Sequence, residues 1–263
     1  MKTKAPTKHE ASLTAAKRAL SDARNVVALT GAGISVESGI PAFRIDVYGL
    51  WKTFPMQKAS IGYFKKNPAD FWKTIGPMAE KFLGAHPNAA HNALFRLENA
   101  GRLKALITQN IDGLHQEAGS KNVIEFHGNG REFVCLKCHA VFALGGKVRM
   151  DKALHDLKAG VMPCCPGCGA ALKPNATLFG EAIPEAALEA AYVAVAAPVD
   201  VVLIVGTSGL IYPANQFPGI AKHDCGAVII EVNTAPSAYG SEGVTDIYVQ
   251  GPAGEVLPQI LPV

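Results

Sequence analysis

Six short apolar runs, each followed by a polar or glycine residue, restrict the fold of this chain more than any other feature. They are rich in Val, Ile and Leu, and they occupy residues 26–29, 103–107, 123–126, 201–205, 228–232 and 247–249. Unbroken runs of this kind are typical of strands that are buried on both faces of a parallel sheet. Helical patterns lie between several of the runs, so the sequence predicts an α/β domain built on a parallel sheet.

Three of the intervening segments predict helices, at residues 12–23, 89–100 and 185–197. Ser12 belongs to the residue types that cap helix N-termini, and we expect it to cap the first helix. Pro184 directly precedes the third segment, where proline favours the start of a helix.

The residues that follow the apolar runs predict where a ligand binds. In open α/β sheets, ligands bind at the carboxyl ends of the strands. The polar and glycine residues at these ends are Thr30, Gly31, Thr108, Gln109, Asn110, His127, Gly128, Gly206, Thr207, Ser208, Asn233, Gln250 and Gly251. We therefore expect a polar crevice at this end of the sheet.

Two segments interrupt the alternation of strands and helices. Residues 46–84 are aromatic and irregular with helical patches, and residues 133–173 contain most of the cysteines. We predict that residues 1–45, 85–132 and 174–263 form the sheet domain. The two interrupting segments are predicted to form a smaller domain, as a helical module and a zinc module.

Five of the six cysteines lie between Cys135 and Cys168, in an arrangement that predicts a metal site. Cys135 and Cys138 form one Cys-x-x-Cys pair, and Cys165 and Cys168 form a second. Four thiolates in two such pairs form a closed tetrahedral zinc site, which has a structural role. Cys164 is a competing ligand. A redox pair or packed free thiols would explain one pair but not two.

The turn Gly31-Ala32-Gly33 follows the first apolar run, where backbone amides can approach a pyrophosphate without obstruction by Cβ atoms. The full dinucleotide fingerprint is absent, because Val36 occupies the position of its third glycine. A tight turn without a ligand is the alternative. The chain has no Gly-Lys-Ser/Thr phosphate loop, which argues against ordinary ATPase chemistry.

His127 differs from the other histidines because it ends an apolar run beside a glycine, where an imidazole can accept a proton near neutral pH. The motif alone does not separate this role from that of a packed histidine. His91 and His115 are interpreted as packed or hydrogen-bonded residues. For Asn110 and Asp112, capping of a loop is the alternative to a role in a ligand site.

The formal net charge of +3 is too small to indicate binding to nucleic acid or to a membrane surface. No apolar stretch reaches transmembrane length, and no apolar signal core follows the first residues. These features predict a cytoplasmic protein that binds neither nucleic acid nor membranes.

Taken in order, these motifs resemble those of the sirtuin family, in its prokaryotic-type form. The resemblance runs from about Val26 to the C-terminus. The segments that carry it are residues 31–35, 38–44, 108–115 and 126–128, both cysteine pairs, and residues 179–181, 206–208 and 232–233.

The resemblance implies a Rossmann-like NAD domain and a small domain, with NAD and an acyl-lysine protein or peptide meeting between them. His127 would be the general base, assisted by Asn110. Gln109 and Asn110 would position a ribose and a water, and Ile111 and Asp112 would hold the nicotinamide carboxamide. The other NAD-binding residues implied are Gly31, Ala32, Gly33, Ser35, Phe43, Arg44, Gly206, Thr207, Ser208, Asn233 and Ala253.

The implied reaction is NAD-dependent deacylation of lysine, with release of nicotinamide and O-acyl-ADP-ribose. Phe179, Gly180 and Glu181 would pair with the substrate backbone, together with Ile211 and its neighbours. Ile75 and Met78 stand where relatives that remove dicarboxylic acyl groups have a Tyr and an Arg. We therefore expect acetyl or longer apolar groups as substrates, unless Ile75 and Met78 only pack a helix and Lys65, Lys66 or Lys73 reaches the pocket.

Two other functions are kept open at this point. The same site could transfer ADP-ribose or hydrolyse NAD, and the chain could instead be a non-enzymatic, zinc-stabilised binder of NAD or nucleic acid. Ile45 to Tyr48 replace a stretch in which the family often has glycine, which predicts a stiffer cofactor loop.

Overall fold

The structure, a computed structural model, describes residues 6–42, 55–144, 155–156, 159 and 161–261, with the backbone alone at residues 56 and 77–81. Its main sheet has six strands in the order β3-β2-β1-β7-β8-β9, and every neighbouring pair is parallel. The strands are β1 Val26–Thr30, β2 Leu103–Thr108, β3 Val123–Glu125, β7 Val201–Val205, β8 Val228–Asn233 and β9 Ile247–Gln250. The prediction of a parallel sheet from the six apolar runs is confirmed.

The helices connect these strands and cover both faces of the sheet. They are α1 Lys8–Asp22, α2 Ile61–Lys66, α3 Pro68–Leu83, α4 Ala89–Asn99, α5 Leu114–Glu117, α6 Glu185–Ala196, α7 Phe217–Cys225, α8 Ala238–Ser241 and α9 Ala253–Ile260. Short 3-10 helices occupy Ala32–Ser38, Met56–Ala59 and Ala214–Gln216.

The predicted cap of the first helix was wrong. The helix begins four residues earlier than Ser12, at Lys8, because Thr7 and Glu10 form a capping box. The Thr7 hydroxyl accepts from the N–H of Glu10, and the Glu10 carboxylate accepts from the N–H of Thr7 at 2.7 Å. The third predicted helix does begin directly after Pro184.

Each face of the main sheet packs against its own hydrophobic core, because successive residues of a strand point to opposite faces. On one face, Ala28, Leu203 and Ile230 pack against α1, α4 and α9. On the other face, Leu29 and Ile204 pack against α6, α7 and α8. These two layers of helices fix the strand ends that form the candidate site.

A second, antiparallel sheet has the order β5-β4-β6, with β4 Gly128–Cys135, β5 Val141–Ala143 and β6 Leu172–Ala176. It packs on an aromatic cluster that includes Phe64, Phe71, Trp72 and Phe133. The indole N–H of Trp72 donates to the carbonyl of Leu172 at 2.7 Å, which ties α3 to β6. Strands β4 and β6 cross the limits at 132 and 173 that the sequence suggested, so the two-domain division remains a proposal.

Among the residues that the structure describes, no helix is long and apolar enough to span a lipid bilayer.

Candidate active site

The turn after β1 and the turn after β7 contact each other through their backbones. The N–H of Gly33 donates to the carbonyl of Gly206 at 2.8 Å. A Cβ atom on Gly33 would lie 2.6 Å from the Cα of Gly206, and Gly206 itself has a positive φ of 63°. Glycine is therefore required on both sides of the contact. The structure brings together the two glycine turns that the sequence marked as phosphate-binding.

Asn110, Ser35 and Asp112 form one hydrogen-bonded group beside the first turn. The amide nitrogen of Asn110 donates to the carbonyl of Gly31 at 3.2 Å and to the hydroxyl of Ser35 at 3.1 Å. The hydroxyl of Ser35 donates to the carboxylate of Asp112 at 2.7 Å. The second carboxylate oxygen of Asp112 accepts from the N–H of Leu114, which is the loop-capping role that the sequence left open.

Gln109, Thr207 and Asn233 connect the ends of three strands, β2, β7 and β8. The amide of Gln109 donates to the hydroxyl of Thr207 at 3.0 Å, and the amide of Asn233 donates to the Thr207 carbonyl at 3.0 Å. Ser208 is exposed, whereas Ala32 and Gly33 are half-buried. These residues therefore lie together at the carboxyl ends of β1, β2, β7 and β8, where ligands bind in open α/β sheets.

His127 lies between β3 and β4, with its ring partly buried next to Phe126. Its Nδ1 is 3.0 Å from the carbonyl oxygen of Gln109. Because a carbonyl only accepts, Nδ1 carries the hydrogen and Nε2 carries the lone pair. Burial lowers the pKa of His127, although the bond to Gln109 acts in the opposite direction. The imidazole is therefore neutral near pH 7 and available as a base through Nε2.

His91 and His115 occupy the interior behind this group, as the sequence analysis expected. Their ring centroids are 4.8 Å apart, and the Nε2 of His115 is 3.0 Å from the hydroxyl of Thr30. Burial lowers the pKa of His91 to about 4, and it also lowers the pKa of His115. Both rings are therefore neutral, and they lie buried next to the residues of the site.

Ala253, expected near an adenine, is the first residue of α9 and is buried. The adjacent N–H of Gly254 donates to the carboxylate of Glu37 at 2.6 Å. A Cβ atom on Gly254 would lie 2.8 Å from that carboxylate. Sequence reasoning missed this contact, because Glu37 and Gly254 lie far apart in the chain and belong to no local motif.

The predicted substrate residues lie on the exposed rim. Phe179 is 47% exposed and Ile211 is 39% exposed, and Gly180 is also exposed. The backbone of Phe179 already pairs with the segment at Ser60. Two contacts hold Glu181 in place. Its carboxylate accepts from the buried Lys173 at 3.1 Å and from the N–H of Leu178 at 2.7 Å. Whether this rim pairs with a substrate backbone remains a prediction.

Three of the candidate residues lie wholly or partly outside the residues that the structure describes. Phe43 and Arg44 lie outside the described residues, and so does the side chain of Met78. Ile75 packs against the aromatic cluster of the small sheet. Lys65, Lys66 and Lys73, the alternative pocket residues, are all exposed.

The sulfur atoms of Cys135, Cys138, Cys165 and Cys168 lie within 4.8 Å of one another. The shortest separations are 3.5, 3.6 and 3.8 Å. A tetrahedral site with Zn–S bonds of about 2.3 Å requires sulfur separations of about 3.8 Å. The four cysteines therefore fit a structural zinc ion. Cys164 stays outside the cluster and is exposed, with its sulfur directed at the carbonyl of Met162.

Both cysteine pairs have the same turn geometry. In the first pair, the N–H of His139 donates to the carbonyl of Cys135 at 2.9 Å, and His139 has a positive φ of 60°. In the second pair, the N–H of Gly169 donates to the carbonyl of Cys165 at 2.9 Å, and Gly169 has a φ of 70°. The backbone N–H of Cys138 is the main cause of a lowered pKa, about 6, for Cys135. The N–H groups of Ala140 and Ala170 act in the same direction on Cys138 and Cys168, but the neighbouring sulfurs raise the pKa of both, to about 11 for Cys168.

A parallel sheet with a glycine crevice at its strand ends, joined to a four-cysteine module, defines a Rossmann-like nucleotide-binding protein with a structural zinc site. The Sir2 family model matches residues 31–213 of this chain. The chain belongs to the Sir2 family, the sirtuins.

Individual comparisons agree with this assignment. The chain is 44% identical to an NAD-dependent protein deacylase of Thermococcus kodakarensis, over 94% of this chain and 93% of that protein. A Sir2 enzyme solved for mechanism and regulation has a TM-score of 0.84 at 40% identity, covering 96% of this chain and 97% of its own. A Sir2 complex with a deacetylated peptide and 3′-O-acetyl-ADP-ribose has a TM-score of 0.84 at 31% identity, covering 95% of this chain and 97% of its own.

Proposed function

We propose that this protein removes acyl groups from lysine side chains of proteins in a reaction that consumes NAD and releases nicotinamide and O-acyl-ADP-ribose. One observation carries the proposal. The neutral ring of His127 has its Nδ1 hydrogen committed to the Gln109 carbonyl, so Nε2 is the base, beside the group formed by Asn110, Ser35 and Asp112. The acyl-peptide and acetyl-ADP-ribose complexes of relatives support the same reaction.

The glycine turns and their neighbours are proposed to bind NAD. The phosphates would lie beside the contact between Gly33 and Gly206, where the missing Cβ atoms let the two turns meet through their backbones. Gly31, Ala32, Ser35, Thr207, Ser208, Asn233 and Ala253 would complete this region, together with Phe43 and Arg44. When bound, NAD supplies an activated bond between nicotinamide and ribose.

The residues around Asn110 are proposed to position the reacting groups. Ile111 and Asp112 would hold the carboxamide of nicotinamide, with the Asp112 carboxylate fixed by Ser35 and Leu114. Gln109 and Asn110 would hold the ribose and a water. The base Nε2 of His127 would take a proton from a ribose hydroxyl, whose oxygen then attacks the acyl carbon once the acyl oxygen has replaced nicotinamide on the ribose. Water would then release the lysine and O-acyl-ADP-ribose. Orientation and one base are therefore the contributions of the chain itself.

The acyl group is proposed to be acetyl or a longer apolar chain. Ile75 cannot pair a carboxylate, and it lies against apolar residues. A carboxylate buried in such surroundings without a partner costs several kcal/mol. Phe179, Gly180, Glu181 and Ile211 would contact the peptide, and Met78 would border the acyl chain.

We also propose a cytoplasmic location for this enzyme. The four-cysteine cluster is consistent with a compartment that keeps thiols reduced.

The decisive experiment follows the products of an acetyl-lysine peptide and NAD by mass spectrometry. We expect nicotinamide, free lysine and O-acetyl-ADP-ribose in equal amounts. His127→Ala should lower the rate by about 10²- to 10⁴-fold, which is typical for loss of a general base, while His223→Ala, an exposed histidine on α7, should be unchanged. Nicotinamide release that does not need the acyl peptide would contradict deacylation and indicate NAD hydrolysis or ADP-ribosyl transfer instead.

Acetyl, succinyl and myristoyl forms of one peptide, present together in the same assay, test the acyl preference. We expect removal of acetyl, with succinyl slower by orders of magnitude. Succinyl removed as fast as acetyl would show that the assignment of Ile75 and Met78 to the pocket is wrong.

A further inference from the structure

Arg131 connects the small sheet to the loop that carries Asp112, and no family motif named above includes it. It lies in β4, four residues after His127, and its side chain is only 19% exposed. Its Nε–H donates to the backbone carbonyl of Asp112 at 2.6 Å. Its Nη1 lies 2.7 Å from the carboxylate of Glu117, which balances the guanidinium charge.

Glu117 is the second residue that holds the guanidinium of Arg131. It is the last residue of α5, the short helix that follows the Asp112 loop. Its other oxygen lies 2.8 Å from Nδ1 of His86. Burial tends to raise the pKa of Glu117, but its hydrogen bonds with His86 and Arg131 hold the pKa below the ordinary value. The carboxylate is therefore charged at neutral pH and holds the guanidinium in place.

The loop backbone is shaped to fit the arginine. Gly113 has a positive φ of 68°, and a Cβ atom there would lie 2.9 Å from Cδ of Arg131. The neighbouring N–H of Gly130 donates to the carbonyl of Ile111 at 2.8 Å. Two consecutive carbonyls of the loop, those of Ile111 and Asp112, are thus held by β4. Because peptide groups are planar, these two bonds fix the orientation of both peptide units.

We propose that Arg131 is a positioning residue that fixes the loop 111–113 and thereby sets how tightly the cleft retains nicotinamide. This inference rests on the proposed function, in which Ile111 and Asp112 hold the carboxamide of nicotinamide. Arginine suits this position because its planar fork donates to a carbonyl and a carboxylate at once. The ammonium of a lysine cannot reproduce that geometry.

The test replaces Arg131 by Met, which keeps an apolar stem against Gly113 but removes both donors. We expect the inhibition constant of nicotinamide and the KM for NAD to rise about ten- to hundredfold, the range for loss of a hydrogen bond to a charged group. The kcat at saturating substrates should change by less than about threefold, since Arg131 does not touch the reacting atoms. Arg131→Lys should raise the inhibition constant to a similar extent.

Arg102→Met is the matched control. Arg102 also donates to backbone carbonyls, at 3.1 Å to Ala23 and 3.0 Å to Ser21, but these lie at the end of α1. We expect this variant to lose stability without a change in nicotinamide inhibition. If Arg102→Met weakens inhibition as much as Arg131→Met, the effect is one of stability and the proposal is wrong. If Arg131→Met does not fold, Arg131→Lys carries the same test.

A second measurement separates this inference from the proposed function. Calorimetric titration of NAD into the His127→Ala variant, with and without Arg131→Met, does not depend on turnover. We expect the second change to weaken NAD binding about tenfold, and equal affinities within twofold would overturn the role of Arg131. Absence of deacylation by the unaltered protein would count against the proposed function alone, because the titration still measures the effect of Arg131 on NAD.

Discussion

The six-stranded sheet has a hydrophobic core on each face, whereas the three-stranded sheet has one aromatic cluster and four cysteines. Leu29, Ile107 and Leu203 in the large sheet are completely buried. In the small sheet, β5 is half exposed, and Val141 is 52% exposed. Small modules that cannot bury enough apolar surface commonly depend on a metal. The comparison teaches that burial on both faces stabilises the large sheet, while the small sheet also depends on its four cysteines.

The largest expected effect is loss of the metal. Cys165→Ser should release the zinc and unfold the small sheet, since metal binding contributes about 10–16 kcal/mol in small zinc modules. Activity should disappear with it, because β4 leads directly from His127 to Cys135. Zinc content per chain and the fluorescence of Trp72, in a Trp51→Phe background, measure both changes.

Cys164→Ser is the control for the zinc experiment, because Cys164 lies outside the four-sulfur cluster. It should keep its full zinc content. The reverse result, with zinc in Cys165→Ser and none in Cys164→Ser, would show that Cys164 is the zinc ligand and that Cys165 is not.

The next effect concerns the large sheet. Gly33→Ala places a Cβ atom 2.6 Å from the backbone of Gly206, which cannot move aside as a flexible side chain would. We expect a loss of about 3 kcal/mol or more in the free energy of unfolding, at the upper end for overpacking. NAD binding should be lost as well, while zinc content should stay unchanged.

Gly219→Ala is the matched control for the glycine experiment. Gly219 lies inside α7, and an added Cβ atom there meets nothing within 4 Å. Alanine should stabilise the helix by about 0.5–1 kcal/mol. Denaturant unfolding compares the two variants, and equal destabilisation would show that the contact with Gly206 is not the cause.

The smallest effect is a dependence on pH that belongs to the large sheet. His91, His115 and His127 all have a pKa below the ordinary value of 6.5, with that of His91 at about 4. The unfolded chain therefore binds more protons than the folded chain below pH 6.5, and stability falls as the pH decreases. For His91 the loss is on the order of 2 kcal/mol by pH 5.

Activity should also fall as the pH decreases, because only neutral His127 accepts a proton. The acid limb of a kcat/KM profile should have its midpoint below pH 6.5. Chemical unfolding at several pH values, compared between the unaltered protein and His91→Asn, measures the stability part. A midpoint above pH 7 would contradict the lowered pKa of His127.

Much of the fold was predictable because it depends on local composition. The runs of Val, Ile and Leu identified all six parallel strands, and the glycine and polar residues after them lie at the strand ends where the NAD site is proposed. The exact start of α1 was missed, because Thr7 and Glu10 compete with Ser12 as a capping site. Composition alone does not reveal such a cap, but the spacing of Thr7 and Glu10 is that of a capping box and does indicate it.

The contacts that complete the site were less predictable, because they join distant parts of the chain. The pair Arg131 and Glu117 and the pair Glu37 and Gly254 have no local signature. The small antiparallel sheet was also missed as a sheet, since β4 contains Gly128, Gly130 and few regular apolar alternations. Motif resemblance supplied roles for single residues, but not these supporting contacts.

The contact between Gly33 and Gly206 also has a consequence for how the protein is made. Strand β1 pairs with β7, which emerges from the ribosome long after it. Until then, β1 has a partner only on the side of β2, and its other edge remains open. Chains of this topology fold slowly and expose strand edges during synthesis. A nascent chain that ends before β7 therefore lacks half of the proposed NAD site, and we expect that the cofactor cannot assist the folding of the first half.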